Sequence, residues 1–303
     1  MRKLTVTQIR LIFVLFTILW CCLSICGCGG ENHNSGTVEE IKKEETTPVP
    51  SDTPEPTAEA EPEKVENLED TAPQAGEEVV PVLTPEEPEL PGTGKKVAID
   101  PGHQAKGNSE QEPIGPGASQ TKAKVASGTS GRTTGVAEYE LNLAVALKLK
   151  EELAKRGYEV FMIRESHDVN ISNAERAKMA AESGGDILIR VHANGSENSG
   201  VSGALTMAPS QANPYMEESM VEQCQKLSRE IIEAFCEATG ANNQGVYQTD
   251  EMSGLNWCTI PATIVEMGYM TNPEEDTRMQ TEEYQELMVQ GMANGIDRYF
   301  ASE

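Results

Sequence analysis

"VAIDPGHQ" (97–104) reads as a short apolar strand that stops at Asp-Pro-Gly and hands over to a histidine, in a chain with only four of them. A strand ending this way either carries an accidental polar loop or presents a metal ligand. Working outward, the pattern is that of an alternating α/β domain. "KKVAID" is a strand, and "AEYELNLAVALKLKEELAKRG" is an amphipathic helix in which Leu141, Val145, Leu149 and Leu153 recur every four residues before Gly157 stops it. "YEVFMIR" is a second strand. "NAERAKMAAESGG" is a shorter helix capped by Ser172 or Asn173. "DILIRVHAN" and "GVSGALTMA" are further strands, and a long helix follows over "NPYMEESMVEQCQKLSREIIEAFCEATG", with Pro214 near its first turn. After a weak strand around "GVYQT" and a clear one at "PATIVEM", a last helix opens at Asn272-Pro273 and runs to about Tyr299. Strands separated by helices of this length predict an α/β fold, a mostly parallel twisted sheet flanked by helices on both faces, in a single domain.

The rest of the 303 residues is different material. Residues 1–30 combine Arg2, Lys3 and Arg10 with an apolar run from Leu11 to Ile25, the layout of an export signal. "ICGC" puts a small residue before Cys28 and resembles a bacterial lipoprotein signal, which implies lipidation of Cys28. An uncleaved membrane anchor and simple secretion are the alternatives, and all three export the chain. Residues 31–93 hold 18 Asp or Glu against 3 Lys and ten of the 17 prolines. Such a segment buries too little apolar surface to offset chain entropy and reads as a disordered tether. Residues 94–303 form the domain, and of the net charge of −25 they carry −13, the leader +3 and the tether −15. A domain that acidic is a poor partner for nucleic acid. Its three cysteines, Cys224, Cys236 and Cys258, show no CxxC spacing and read as small buried residues rather than a disulfide framework or thiolate metal site.

Ligands of open α/β sheets gather at the carboxyl ends of the strands. His103 follows the first strand, His192 ends "DILIRVHAN" and Glu266 ends "ATIVEM", so three polar residues emerge on one sheet edge. His167 lies in a loop away from any strand end. Two imidazoles on neighbouring strand ends suit zinc, which commonly adds a carboxylate in catalytic sites. Glu138 and Glu140 both open the first helix, and helix geometry leaves the choice between them open. Asp100 is either an acceptor orienting an imidazole or a turn-stabilising acid. The connection 104–134 joins two proposed ligands. It is long enough to be a substrate-groove wall, with Lys122, Lys124 and Arg132 offsetting local acidity.

"VAIDPGHQ", "GVAEYELNLAVALKLKEEL", "GYEVFMIRESHDVNISNAERAKMA", "ILIRVHANGS" and "TIVEMGYMTNPEED" resemble, in order, the signature segments of zinc-dependent N-acetylmuramoyl-L-alanine amidases, over nearly all of residues 95–301. The resemblance implies that His103, Glu138 and His192 bind Zn2+, that Glu266 is the catalytic carboxylate, and that peptidoglycan is the substrate. It favours Glu138 over Glu140, because Glu138 lies three residues before Leu141-Asn142-Leu143. It also implies a structural role for Asp168 and Arg176, tying loop to helix. The 104–134 connection departs from the shorter segment common in the family. Two other readings stand beside the amidase: a catalytically silent wall-binding lipoprotein, and a zinc hydrolase of another amide.

Overall fold

The structure, a computed structural model, describes residues 90–302; the leader and nearly all of the tether lie outside the described residues. The main sheet has six strands: β1 (Lys96–Pro101), β4 (Glu159–Met162), β5 (Ile187–Asn194), β6 (Ala204–Ala208), β7 (Asn243–Gln248) and β8 (Ala262–Tyr269), in the order β4-β1-β5-β8-β6-β7. β4, β1, β5 and β8 run parallel; β6 pairs antiparallel with β8 and parallel with β7. Helices α1 (Glu138–Lys155), α3 (Glu218–Thr239) and α6 (Glu282–Ala301) supply the larger apolar cluster, into which Val97, Ile99, Ile187, Ile189 and Val191 point. Ala98, Leu188 and Ile264 face the other way, against α2 (Asn173–Glu182) and the short α4 (Ser253–Asn256). Among the described residues no helix is long and apolar enough to cross a membrane.

This alternation decides where the polar residues go. In a strand successive side chains point to opposite faces, so Asp100 and Arg190 share the face of Ala98 and Leu188, towards α2. There the Asp100 carboxylate, fully buried, accepts from Arg176 Nη1 at 2.6 Å and from Arg190 Nε at 2.8 Å. It orients no imidazole; of the two roles open to it, holding the turn is the one the structure bears out. Arg176 also donates to the carbonyls of Pro101, at 3.1 Å, and His103, at 3.0 Å. Arg164 reaches Pro101 O and Gly102 O at 2.8 and 3.0 Å. Three arginines thus pin Asp-Pro-Gly-His, and His103 is held at φ +59°, a left-handed conformation rare outside glycine.

Several sequence expectations need correction. Pro214 lies outside the long helix: 213–217 form a turn, in which Asn213 Oδ1 accepts from Tyr215 N, and α3 starts at Glu218. The last helix is two. α5 (Pro273–Met279) opens as expected, with Asn272 accepting from Glu274 N and Glu275 N. Thr281 then caps α6 afresh, its hydroxyl accepting from Tyr284 N. The acids of α5 do more than complement a dipole: Glu275 accepts from Gly203 N and Tyr269 N, each at 2.8 Å, and Asp276 accepts from Thr133 N and Thr134 N. The 104–134 connection contains an antiparallel pair, β2 (Asn108–Pro113) and β3 (Thr121–Val125). Ser172 is the cap of α2, in a capping box with Glu175. Arg176 does tie loop to helix, donating to Ile171 O at 3.1 Å. Asp168 is exposed and takes no part in that tie. The three cysteines are free thiols, with Cys224 and Cys258 buried and both pushed up by burial.

Burial raises the Asp100 carboxyl, but Arg176 and Arg190 outweigh it and hold the group well below the usual carboxylate range. A depressed folded-state pKa contributes stability that is in place above the unfolded value of ~3.9 and fades as pH falls towards the folded one. Asp100→Asn leaves two buried guanidiniums without their counter-charge and is expected to cost ~3–5 kcal/mol. In thermal melts from pH 7 to 2.5, the gap between wild type and Asp100→Asn should narrow below about pH 4. A gap that stays constant, or grows, on acidification would contradict the pairing.

Candidate metal centre and active site

β1, β5 and β8 bring His103, His192 and Glu266 together near their carboxyl ends, although β8 runs on to Tyr269 and Glu266 lies within it rather than at its end as the sequence suggested; the first turn of α1 brings Glu138 against them. His103 Nε2 and His192 Nδ1 each lie 3.1 Å from Glu138 Oε1. The three residues offer ligand atoms within 4.8 Å of one another. Glu140 is not part of this group: its carboxylate turns back to accept from Ala137 N at 3.0 Å, closing the first turn of its own helix. His167 is exposed and packs edge-on against Tyr139.

The surroundings fix the state of each group. His103 Nδ1 sits 2.8 Å from the carbonyl of Ala126, which can only accept. Nδ1 therefore carries the proton, and the Nε2 lone pair faces Glu138 and His192. The His192 ring lies flat on Gly102, where a Cβ would come within 2.2 Å of Nε2, so this turn tolerates no side chain at 102. Burial lowers His192 to about 4, against the pull of the Glu138 carboxylate, so the ring is neutral near pH 7. Glu138 is buried, and its contacts with the His103 and His192 rings outweigh that burial to hold its carboxyl well below the usual range. Thr129 N donates to its Oε2 at 2.9 Å, and Ala193 N to its Oε1 at 3.2 Å. Two imidazoles and an ionised carboxylate are the donor set that zinc and similar divalent ions take.

Glu266 stands directly across the β5–β8 ladder from His192. Burial pushes its carboxyl up to about 8, the nearby Glu138 charge adds to the rise, and Arg190 opposes it. Its Oε2 is buried and has no hydrogen-bond partner among the described residues. A buried carboxyl with an unpartnered oxygen, beside a cluster of ligand-type groups, is suited to holding and passing a proton.

A family profile for N-acetylmuramoyl-L-alanine amidase matches residues 97–298. The chain belongs to that family, the type 3 amidases. The N-acetylmuramoyl-L-alanine amidase Rv3717 of Mycobacterium tuberculosis is 26% identical over 216 residues, spanning 69% of this chain and 88% of that protein. Among solved structures, the N-acetylmuramoyl-L-alanine amidase of Clostridium difficile 630 superposes with a TM-score of 0.57 at 25% identity, over 69% of this chain and 98% of that one. Ami1 of Mycobacterium smegmatis gives a TM-score of 0.63 at 22% identity, over 70% of this chain and 99% of that one, a likeness of fold.

All four sequence-derived site residues meet at this edge. Sequence reasoning missed Arg190, which lines the adjoining cavity together with Glu266 and the two histidines; an arginine inside an otherwise apolar strand was the signal for it. It also missed Ala126 and Thr129, which act through backbone atoms and leave no side-chain signature. The expectation that the 104–134 connection borders the site is met by Lys122, Ala123 and Ala126 on the cavity wall. Lys124 instead pairs with Glu110 at 2.8 Å, and Arg132 N donates to Met270 O.

Zn2+ affinity is expected to fall in Glu138→Gln by more than the ~10–100-fold typical of a residue outside the coordination sphere, and to stay unchanged in Glu140→Gln. Competition with a chromophoric chelator measures both. Equal losses in the two variants would remove Glu138 from the ligand set.

Proposed function

We propose that the chain is a zinc-dependent N-acetylmuramoyl-L-alanine amidase, with His103, Glu138 and His192 as the metal ligands and Glu266 as the catalytic carboxylate. It hydrolyses the amide between the lactyl group of N-acetylmuramic acid and the first L-alanine of the peptidoglycan stem. The observation that carries this reading is the convergence of the three ligand-type side chains beside a buried, unpartnered carboxyl oxygen, in a chain of the amidase family.

A zinc ion held there would lower the pKa of water towards ~7 and polarise the scissile carbonyl. The chain's own groups do the rest. His103 is locked in one tautomer by Ala126 O, and Glu138 is fixed by Thr129 N and Ala193 N, so the ligand set needs little rearrangement. Glu266 takes a proton from water as its oxygen adds to the carbonyl carbon. The same carboxyl then protonates the amide nitrogen as the C–N bond breaks, releasing the stem peptide as a free amine. A catalytically silent role would call for loss of one of the four residues, and all four are in place.

The leader and tether extend the proposal to location. Export, with Cys28 lipidated or the apolar run retained as an anchor, would hold the domain outside the cytoplasmic membrane, and the tether would let it reach into the wall.

Glu266→Gln is expected to lower release of stem peptides from purified peptidoglycan by ~10²–10⁴-fold, with zinc content near that of the wild type. Mass spectrometry of the digest and metal analysis read the two quantities. Full activity in that variant would sink the role of Glu266, and a zinc-loaded wild type releasing nothing from several wall chemistries would sink the amidase reading.

A further inference from the structure

Two unlike depressions meet at the proposed metal centre. One is an open groove bordered by Thr129, Asn194, Ser196 and Thr271, whose hydroxyl and amide groups suit the hydroxyls of a sugar. The other is a narrower cavity of about 230 Å³ between the β2–β3 hairpin and the Met252–Gly254 turn. Its wall is largely apolar, with Ala123, Met207, Met252 and Ile264, yet two cations border it: Lys122 from β3 and Arg190 from β5. His103, His192 and Glu266 line both depressions. A substrate amide held at Glu266 therefore has one side in a wide groove edged by hydroxyl and amide groups and the other in a small cavity bordered by two cations.

The cations are differently employed. Arg190 is committed to Asp100 through Nε and to Asn173 through Nη2, the latter at 2.7 Å. Its Nη1 lies where a Cβ on Gly254 would be, 1.8 Å away, so the guanidinium presses against that turn. Lys122 Nζ donates to the backbone carbonyl of Glu251 at 3.0 Å and makes no ion pair with a carboxylate among the described residues. The acid opposite it in the hairpin, Glu112, is engaged by Ala174 N and Ser253 Oγ. Half-burial and the Arg190 charge depress the lysine, more than Glu251 and Glu112 restore it. Its surroundings thus favour one added negative charge. In a domain of net charge −13, two cations at the edge of one cavity are not a by-product of a basic surface.

We propose that this cavity receives the stem peptide, and that Lys122, with Arg190 behind it, pairs with a free carboxylate carried one residue beyond the scissile amide. The inference rests on the amidase reading and adds an orientation and a specificity to it: glycan in the open groove, peptide under the hairpin. The apolar wall accommodates the alanine methyl. The following residue, a γ-linked D-glutamate, offers a free α-carboxylate in some walls and an uncharged α-amide in others. Charge-assisted pairing in a half-buried cavity discriminates between those two forms. Lys122 is thereby a specificity-determining residue of the hairpin that departs from the family's usual length.

The test uses zinc-loaded full-length protein and two muramoyl peptides that differ only in that group, free acid or amide. Wild type is expected to favour the acid by ~10–100-fold in kcat/KM. Lys122→Met and Lys122→Gln, the second keeping a donor for Glu251 O, should bring the two substrates together by slowing the acid. Lys122→Arg should restore part of the preference, and Lys124→Met, on the same strand but paired with Glu110, should retain all of it. Zinc content and melting temperature are read for each variant. A wild type without preference overturns the inference while leaving the amidase reading intact. So does a preference that survives loss of the Lys122 charge, or a Lys122 variant that slows both substrates equally. A wild type that cleaves neither peptide nor intact peptidoglycan defeats the amidase reading and this inference with it.

Discussion

The grip of two arginines on Asp100 is the constraint on which the rest depends. It joins β1 to β5 and α2 through one buried carboxylate. Buried ion pairs are weak sources of net stability, because desolvation offsets most of the attraction. What this one supplies is position. Arg176 holds the carbonyls on either side of Gly102, so the strand cannot continue, and His103 is forced into its left-handed conformation. A residue at φ +59° costs ~1–3 kcal/mol relative to ordinary backbone, and it stays there because four donor contacts from Arg164 and Arg176 over-determine Pro101, Gly102 and His103. The position of His103, a proposed ligand, is inherited from that turn.

Electrostatics at the sheet edge then divides two carboxyls by environment. Glu138 sits among donors and stays ionised; Glu266, register partner of His192, meets only burial, the negative charge of Glu138 and a more distant guanidinium. Two carboxyls on adjoining elements are pushed in opposite directions, one towards ligation and one towards carrying a proton. Arg190 links the two halves, since the guanidinium that fixes Asp100 also moderates Glu266. The site and its scaffold therefore share charges, and neither can be altered electrostatically without touching the other.

The central strands β1, β5 and β8 were legible because each is rich in Val, Ile and Leu and bounded by turn residues, and α1 because its apolar residues fall every four positions. The histidines were legible for the same reason, since a strand end fixes where a side chain emerges; Glu266 was found although its strand runs three residues past it. Helix geometry left Glu138 and Glu140 equivalent, and only tertiary packing, which buries one and lets the other cap its own helix, separates them. The end of α5 was hidden because Thr281 sits in a segment whose helical periodicity continues across it. The β2–β3 pair was hidden because "NSEQEP" carries no hydrophobic alternation and the alternation in "TKAKV" is too short to stand out; Glu112 and Lys122 tie the pair to other elements, information that no local window contains.

That hairpin has a consequence for how such a site can vary. An insertion in a surface connection is ordinarily free to drift. This one is not, because the segment leaving β3 supplies the carbonyl that sets the His103 tautomer and the amide that holds Glu138 Oε2. Side chains of β3 can change what the cavity accepts. The backbone from Ala126 to Thr129 cannot shift without loosening two of the three proposed ligands. On the proposed assignment, substrate selection and metal-site geometry are thus carried by one stretch of chain, the first by its side chains and the second by its main chain, so specificity can change at Lys122 while the proposed ligand set keeps its shape.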